Sequence, residues 1–383
     1  MQRLDKLPPY LFASIDAARD QARAQGVDVI DLGVGDPDLP TPASLVDLAA
    51  AAVRNAAYHR YPSGRGDAKL RRAAAGFLRR RHGLDLDPDH EILVLIGSKE
   101  GIAHLPLALV NEGDNVLVPD IGYPVYAQGA ILAGGEPRLF NLAADRAFLP
   151  DLEELRRLAD ERTRLLWLNY PNNPTGAEAG AGLFAPVAEF AAACGCVLAN
   201  DAAYLEVSLD GHRPVSLLEA VDHRRQPVVE FHSLSKMFNM TGWRLGFAAG
   251  NADCLARLAR LKETIDSGVF TALQDVGATA LGKVADGLLA EVMRPYAARR
   301  DVVVAALRRA GLTVFPAQAT FYVWARVPTA ETSVEFCGRV LRERGVVLTP
   351  GVGFGPGGEG WFRISLTAPD AQIAAAAERL EAL

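Results

Sequence analysis

The sequence predicts an α/β protein built around a mostly parallel sheet. Three apolar segments end in polar clusters that recur at roughly 30-residue spacing, the distance expected of strand–helix units in a parallel sheet. The chain has 383 residues, of which 50% are hydrophobic, so it is long enough for two domains and can bury a large core. Because ligands bind at the carboxyl ends of parallel strands, the three polar clusters predict one shared site.

The last of these segments leads into the centre of the predicted site. The run Pro227–Phe231 predicts a buried strand, which is followed by Ser233, Ser235 and Lys236. Eight residues further on, Arg244 lies between two glycines that let a backbone approach closely. A lysine amine can form a Schiff base with an aldehyde, while hydroxyls and a guanidinium can bind phosphate. These residues therefore indicate pyridoxal phosphate, which also requires an acidic partner for its pyridine nitrogen.

The other two segments supply that partner and further donors. An isolated Ser-x-Ser-Lys is common by chance and would usually be an exposed loop. Here, however, Asp201 and Tyr204 follow the predicted strand Cys196–Asn200. Asn173, within Asn-Pro-Thr-Gly, follows the predicted strand Arg164–Leu168. A buried aspartate requires a cationic partner, and a protonated pyridine nitrogen is one. The combination, rather than the tetrapeptide, supports the prediction.

Composition excludes several other classes of protein. The 46 acidic and 40 basic residues give a net charge of −6, and the basic residues are scattered, which disfavours nucleic-acid binding. No apolar run approaches the roughly 18 residues of a membrane span, and the first residues lack a signal-peptide core. We therefore expect a cytoplasmic protein. The cysteines lack the spacing of a metal or disulfide framework and are expected to be buried small hydrophobes: Cys194, Cys196, Cys254 and Cys337.

The N-terminal elements are predicted from proline and glycine positions. Helices are expected at 13–24 and 44–55, with a short strand at 29–32 between them. The two glycines that follow this strand, Gly33 and Gly35, do not form a dinucleotide fingerprint, because nearby prolines prevent a helix from starting there.

Two further strands end at candidate ligand-binding residues. The strand predicted at 91–96 opens onto Ser98 and Lys99 at the start of a helix, where backbone amides and the helix dipole favour an anion such as phosphate. The strand predicted at 115–120 is followed by Tyr123 and Tyr126, and an aromatic face at this strand end could stack on a pyridine ring.

The C-terminal third predicts a second, smaller unit. Helices are expected at 253–266, 273–310 and 333–344 and at the C-terminus, and strands at 313–316, 321–326, 346–349 and 361–366. Gly351–Gly355 precedes a strand rather than a helix, so it is expected to be a flexible turn and not a phosphate loop. Arg363 lies on the last strand, where its fork could bind a carboxylate in bidentate fashion.

Taken in order, these residues resemble the fold-type I pyridoxal-phosphate aminotransferases of classes I and II, over nearly the whole chain. Four segments are most similar to the LL-diaminopimelate aminotransferases within that family: 7–12, 31–38, 96–104 and 238–244. The resemblance implies a large domain with a mostly parallel seven-stranded sheet flanked by helices, and a smaller α+β domain. We expect an N-terminal segment at 1–45, the large domain at 46–285 and the small domain at 286–383.

The resemblance also implies a role for each site residue. Lys236 is the catalytic lysine, and Asp201 pairs with the pyridine nitrogen. The implied cofactor-binding residues are Ser98, Lys99, Tyr123, Asn173, Tyr204, Ser233, Ser235 and Arg244, with Tyr61 reaching the cofactor of the other subunit in a homodimer. The implied substrate-binding residues are Tyr10, Gly35, Asn173 and Arg363. No metal is implied. Ser267 stands where related enzymes often bring a polar side chain across the dimer.

The expected activity is transfer of an amino group between an L-amino acid and a 2-oxo acid. The resemblance favours LL-diaminopimelate with 2-oxoglutarate, in lysine biosynthesis. Aspartate, alanine, methionine or aromatic specificity could use the same residues, as could a β-lyase or a cyclopropane-forming synthase. A cofactor-sensing regulator would need an attached DNA-binding module, which we do not expect because the catalytic pattern begins almost at Met1. A nicotinamide-dependent enzyme is disfavoured because the glycine-rich strand–turn–helix is missing.

Overall fold

A computed structural model describes residues 3–7, 11–283 and 287–383. Its strands are β1 (Ile30–Asp31), β2 (Ile92–Leu95), β3 (Asn115–Pro119), β4 (Glu136–Phe140), β5 (Thr163–Leu168), β6 (Val197–Asp201), β7 (Val228–Ser233), β8 (Gly246–Gly250), β9 (Tyr322–Arg326), β10 (Val346–Val347), β11 (Thr349–Pro350) and β12 (Trp361–Ser365). Its helices are α1 (Leu11–Ala24), α2 (Ala43–Ala52), α3 (Ala68–His82), α4 (Ser98–Leu109), α5 (Val125–Ala133), α6 (Leu152–Leu158), α7 (Ala181–Cys194), α8 (Leu234–Met237), α9 (Ala252–Ile265), α10 (Thr271–Lys283), α11 (Leu288–Arg309), α12 (Ser333–Arg344) and α13 (Asp370–Leu380).

The largest sheet has seven strands in the order β2-β8-β7-β6-β5-β3-β4. Strand β8 runs antiparallel to both β2 and β7, and the other neighbouring pairs are parallel. Parallel strands that are covered on both faces are apolar throughout, and β3 is buried along its whole length. The predicted α/β class and mostly parallel sheet are confirmed.

Helices cover both faces of this sheet. On one face, α4, α5 and α9 bury apolar side chains such as Leu105, Tyr126 and Leu258 against the strands. On the other, α3, α7 and α10 contribute Phe77, Phe184 and others to a second and larger core. Fully burying a side chain of this size stabilises the fold by roughly 1.5–3 kcal/mol, so the two layers hold the strand ends in fixed positions.

The C-terminal third forms a separate small sheet. Strands β11, β12 and β9 are antiparallel neighbours in that order, and β1 from the N-terminal region pairs in parallel with β10. The larger core is continuous from Leu198 in the main sheet to Phe362 in the small one. The predicted domain boundaries stay predictions. Across the described residues, no helix combines the length and apolar character needed to cross a membrane.

The predicted helix at 273–310 is instead two helices. Helix α10 ends at Lys283, and α11 begins at Leu288. Gly287 precedes α11 with a φ of 83°, a left-handed conformation that interrupts a right-handed helix and that glycine adopts at little cost.

The strand predicted at 313–316 is also wrong. Only an isolated antiparallel bridge forms there, between Val314 and Ala325 of β9. Pro316 has no backbone N–H to donate to a ladder, which is one physical reason why the pairing stops.

Candidate active site

The carboxyl ends of β5, β6 and β7 meet at one edge of the main sheet, beside the start of α4. A cavity of about 650 Å³ opens there between the main sheet, the N-terminal segment and the small sheet. The predicted site residues that line it are Gly35, Ser98, Lys99, Tyr123, Asn173, Asp201, Tyr204, Ser233, Ser235, Lys236, Arg244 and Arg363. The structure therefore brings together residues that lie more than 300 positions apart in the sequence.

Two predicted site residues are not among the residues that line the cavity. Tyr61 is 90% exposed on the surface. Its predicted role is in the site of another subunit, so its position in this chain does not test that role. Tyr10 lies outside the described residues.

Lys236 projects from the short helix α8, directly after β7. Its Nζ lies 3.5 Å from the carbonyl oxygen of Gly35 and 5.5 Å from the ring centre of Phe321. Burial lowers the pKa of its amine to about 8, with the positive charges of Arg244 and Arg363 acting in the same direction. The amine therefore loses its proton more readily than an ordinary lysine, as a general base must.

Asp201 ends β6 at the bottom of the cavity and is only 6% exposed. Burial raises the pKa of its carboxyl to about 6. The Tyr126 hydroxyl donates to one carboxylate oxygen at 2.8 Å, and the Ala203 amide donates to the other at 3.2 Å. Both hydrogen bonds favour the ionised carboxylate and therefore oppose the rise in its pKa. A cationic ring nitrogen would favour the ionised form further, so Asp201 fits a protonated pyridine.

Tyr126 was weighed in the sequence analysis only as a stacking residue, and its hydrogen bond to Asp201 was not predicted. It is 1% exposed, stacks on Trp167 with ring centres 5.1 Å apart, and presents its hydroxyl to Asp201. Tyr123, which was predicted to stack on the cofactor, lines the cavity beside it at a ring-centre distance of 6.1 Å. The available signal was proximity in sequence: Tyr123 precedes α5 and Tyr126 lies in its first turn, and the two rings meet edge to face.

We expect Tyr126→Phe to weaken binding of pyridoxal phosphate by roughly tenfold at neutral pH. The lost bond favours the ionised carboxylate, so its removal raises the pKa of Asp201 above about 6 and leaves less negative charge for a pyridinium. Affinity should then begin to fall at a higher pH than in the wild type as the solution is acidified. Titrating cofactor-free protein with pyridoxal phosphate across the acidic and neutral range measures this shift.

Tyr170→Phe is the matched control, since the Tyr170 hydroxyl is equally buried but donates to the Phe148 carbonyl, away from Asp201. The role given to Tyr126 is wrong if Tyr126→Phe and this control have the same pH dependence.

Arg363 is held rigidly by the surrounding structure. The guanidinium is sandwiched between the rings of Tyr322 and Phe354, at 4.1 and 4.6 Å from their centres. It donates to the Asn173 side-chain oxygen at 3.0 Å and to the Gly33 carbonyl at 2.7 Å. Burial lowers its pKa, and no carboxylate among the described residues forms an ion pair with it. A buried cation without a counterion is expensive, so this site fits an anionic ligand.

Gly35 and Tyr322 close the cavity from the side of the small sheet. A Cβ atom on Gly35 would overlap the Tyr322 hydroxyl, so only glycine fits there. The same hydroxyl lies 2.9 Å from that of Tyr204. Tyr322 was missed by the sequence analysis because its partners lie more than 100 residues away and no local pattern marks it.

The opposite end of the cavity presents donors suited to phosphate. Helix α4 begins at Ser98, so its free amides and its dipole favour an anion. A Cβ on Gly97, which has a φ of 71°, would overlap the Arg244 guanidinium, which therefore lies against the start of the helix. The Ser235 hydroxyl is buried without a hydrogen-bond partner among the described residues. With Lys236 and Asp201, this donor set fits pyridoxal phosphate.

Comparison with known proteins agrees with this geometry. Residues 27–380 match the family described as aminotransferase class I and II. The chain is 49% identical to an LL-diaminopimelate aminotransferase of Desulforudis audaxviator (99% of this chain, 96% of the relative) and 46% identical to one of Aquifex aeolicus (100% and 98%). A solved structure described as a probable N-succinyldiaminopimelate aminotransferase of Thermus thermophilus superposes with a TM-score of 0.89 at 37% identity, covering 97% of this chain and 99% of that one.

Proposed function

The chain belongs to the class I and II aminotransferase family, and from that premise we propose that it binds pyridoxal phosphate and transfers an amino group from LL-diaminopimelate to 2-oxoglutarate. This reaction would serve lysine biosynthesis in the cytoplasm. The observation that carries the proposal is one cavity lined by a lysine with a lowered pKa, a buried aspartate and a buried arginine that pairs with no carboxylate of the described residues.

The residues that line the cavity can be grouped by the part of pyridoxal phosphate that each would bind. Asp201 would bind the pyridine nitrogen, Asn173 and Tyr204 the ring hydroxyl oxygen, and Tyr123 the ring face. The phosphate would be bound by Ser98, Lys99, Ser233, Ser235 and Arg244. When bound, pyridoxal phosphate supplies an electron sink that stabilises negative charge at the substrate α-carbon.

The chain itself supplies the proton transfer and the orientation of the substrate. The amine of Lys236 removes the proton from the α-carbon, and its lowered pKa keeps a larger fraction of it neutral at neutral pH. Arg363 binds the substrate α-carboxylate with its fork, and Gly35 leaves room beside it. Because the tyrosine and phenylalanine rings hold the guanidinium, it is already oriented before the substrate arrives.

The acidic side chains in the cavity favour a substrate with a second, positively charged group. Asp16, Asp31 and Asp36 are among the residues that line it, and the charge of Asp36 acts on Lys236. Arg19, which is not one of the lining residues, donates to Asp16 at 2.7 Å and to Asp31 at 3.1 Å. The distal end of LL-diaminopimelate carries both an ammonium and a carboxylate. In an N-succinyl derivative an uncharged amide replaces that ammonium, so the acidic lining favours the free diamino acid.

A homodimer is part of the proposal. Tyr61 is 90% exposed, and the apolar side chains of Ile265 and Phe270 are 48% and 39% exposed. The segment that carries Tyr61 lies next to the one that carries Ile265 and Phe270, because a Cβ on Gly268 would lie 3.1 Å from the Ser63 carbonyl oxygen. Exposed apolar groups clustered in this way suit a subunit interface.

The test is the first half-reaction, in which an amino acid alone converts bound pyridoxal phosphate to its amine form. Purified enzyme is mixed separately with LL-diaminopimelate, N-succinyl-LL-diaminopimelate, glutamate, aspartate, alanine, methionine and phenylalanine, and the visible spectrum is followed. We expect fast conversion by LL-diaminopimelate and glutamate, and slow conversion by the others.

Other outcomes identify which part of the proposal fails. Conversion by other amino acids but not by LL-diaminopimelate would overturn the substrate and leave the transamination. Release of pyruvate and ammonia from an amino acid without an acceptor would instead indicate a β-lyase of the same fold.

A further inference from the structure

A buried lysine lies behind the proposed phosphate end of the cavity, outside the site described above. Lys262 projects from α9, and its side chain is 0% exposed. Its Nζ lies 2.7 Å from a carboxylate oxygen of Glu100 and 3.0 Å from one of Asp266. A buried ammonium is tolerated only when it is paired, so these two contacts explain why it can be there.

Glu100 is the residue that makes this lysine relevant to the site. It lies in the first turn of α4, two residues after Ser98. One of its carboxylate oxygens accepts from the Ile96 amide at 3.1 Å, and the other lies 2.7 Å from a ring nitrogen of His104. The carboxylate is therefore fixed at the same end of α4 that lines the cavity. A negative charge in this position suits the helix dipole but repels a phosphate.

We propose that Lys262 is a positioning residue that neutralises Glu100, so that the amide end of α4 stays attractive to the cofactor phosphate. The inference rests on the proposed function, because it concerns how the same site binds a phosphorylated cofactor. Lys262 does not line the cavity, and it acts on the ligand only through the charge and position of Glu100.

Asp266 provides a way to separate this effect from general stability. Its second oxygen accepts from the Gly268 amide at 2.8 Å, so it links Lys262 to the loop before α10. Replacing it with asparagine removes one ion pair of Lys262 and leaves the pair with Glu100. The proposal therefore requires different results from variants at Glu100 and Asp266.

The experiment compares the affinities of cofactor-free protein for pyridoxal phosphate and for unphosphorylated pyridoxal. The dissociation constant for pyridoxal divided by that for pyridoxal phosphate isolates the phosphate contribution, because a general loss of structure weakens binding of both compounds. Lys262→Met should reduce the preference for the phosphorylated form by roughly tenfold, because the Glu100 charge is then uncompensated. Adding Glu100→Gln to Lys262→Met should restore the preference, since the amide still accepts from Ile96 but carries no charge.

Two controls and one backup variant keep the test decisive. Asp266→Asn and Lys69→Met, the latter removing a surface ion pair with Asp275, should leave the ratio within about twofold of wild type. If Lys262→Met does not fold, Glu100→Gln alone decides the matter, because removing the negative charge while Lys262 keeps its positive charge should raise the preference for phosphate, and an unchanged preference would contradict the inference.

The outcomes distinguish this inference from the function on which it rests. A wild-type chain that binds pyridoxal phosphate, together with an unchanged ratio in Lys262→Met, overturns the inference alone. A fall in the ratio in Glu100→Gln also overturns it. A wild-type chain that does not bind pyridoxal phosphate overturns the proposed function.

Discussion

Replacing Lys236 with alanine should lower turnover by roughly a thousandfold or more and abolish covalent retention of the cofactor. The variant lacks both the amine that can attach to the aldehyde and the base that moves the α-proton, and each loss alone is large. Burial lowers the pKa of this amine, and the charges of Arg244 and Arg363 act in the same direction, so the variant loses a base whose pKa depends on this position.

Turnover is measured with the best donor from the half-reaction and 2-oxoglutarate, and attachment by borohydride reduction followed by peptide mapping. Wild-type protein should carry the label on the peptide containing Lys236. Lys69→Ala is the control, because that side chain is 60% exposed and outside the cavity. Full turnover in Lys236→Ala would show that the mechanism is wrong.

Arg363→Lys should raise the KM for the amino donor by roughly 30- to 150-fold, equivalent to about 2–3 kcal/mol. Lysine keeps the positive charge, but it lacks the planar fork that can donate twice to one carboxylate. It also cannot at once fill the space between the two flanking rings and bond to both Asn173 and Gly33. The substrate would therefore lose both a hydrogen bond and a partner held in position.

Steady-state kinetics with several donor concentrations separate KM from kcat in this variant. Arg326→Lys is a matched control: it lies on the neighbouring strand β9, is exposed, and pairs across the sheet with Trp361. A KM equal to that of the control would mean that the substrate carboxylate binds elsewhere.

The fold class and the ends of the central strands were predictable because their signals are local. A buried parallel strand is a short apolar run, and a polar cluster directly after it marks the carboxyl end of the sheet. Lys236, Asp201 and Asn173 could be found in this way, and all three line the cavity. The break between α10 and α11 was missed because the surrounding sequence keeps a helical pattern while the conformation changes at Gly287.

The residues that tune these groups could not be predicted from local pattern. Tyr126 reaches Asp201 across 75 residues of sequence, and Tyr322 meets Tyr204 across 118. Lys262 and Glu100 are 162 positions apart. Each pair meets only because separate helices and strands pack on the same sheet or across the cavity.

The sequence by itself determined which chemical groups this protein has and which strand ends carry them, because hydrophobic period and strand termination depend on neighbouring residues. Only the tertiary structure decided the state of those groups. Burial lowers the pKa values of Lys236 and Arg363 and raises that of Asp201, because desolvation depends on everything packed around a charge and not on its neighbours along the chain.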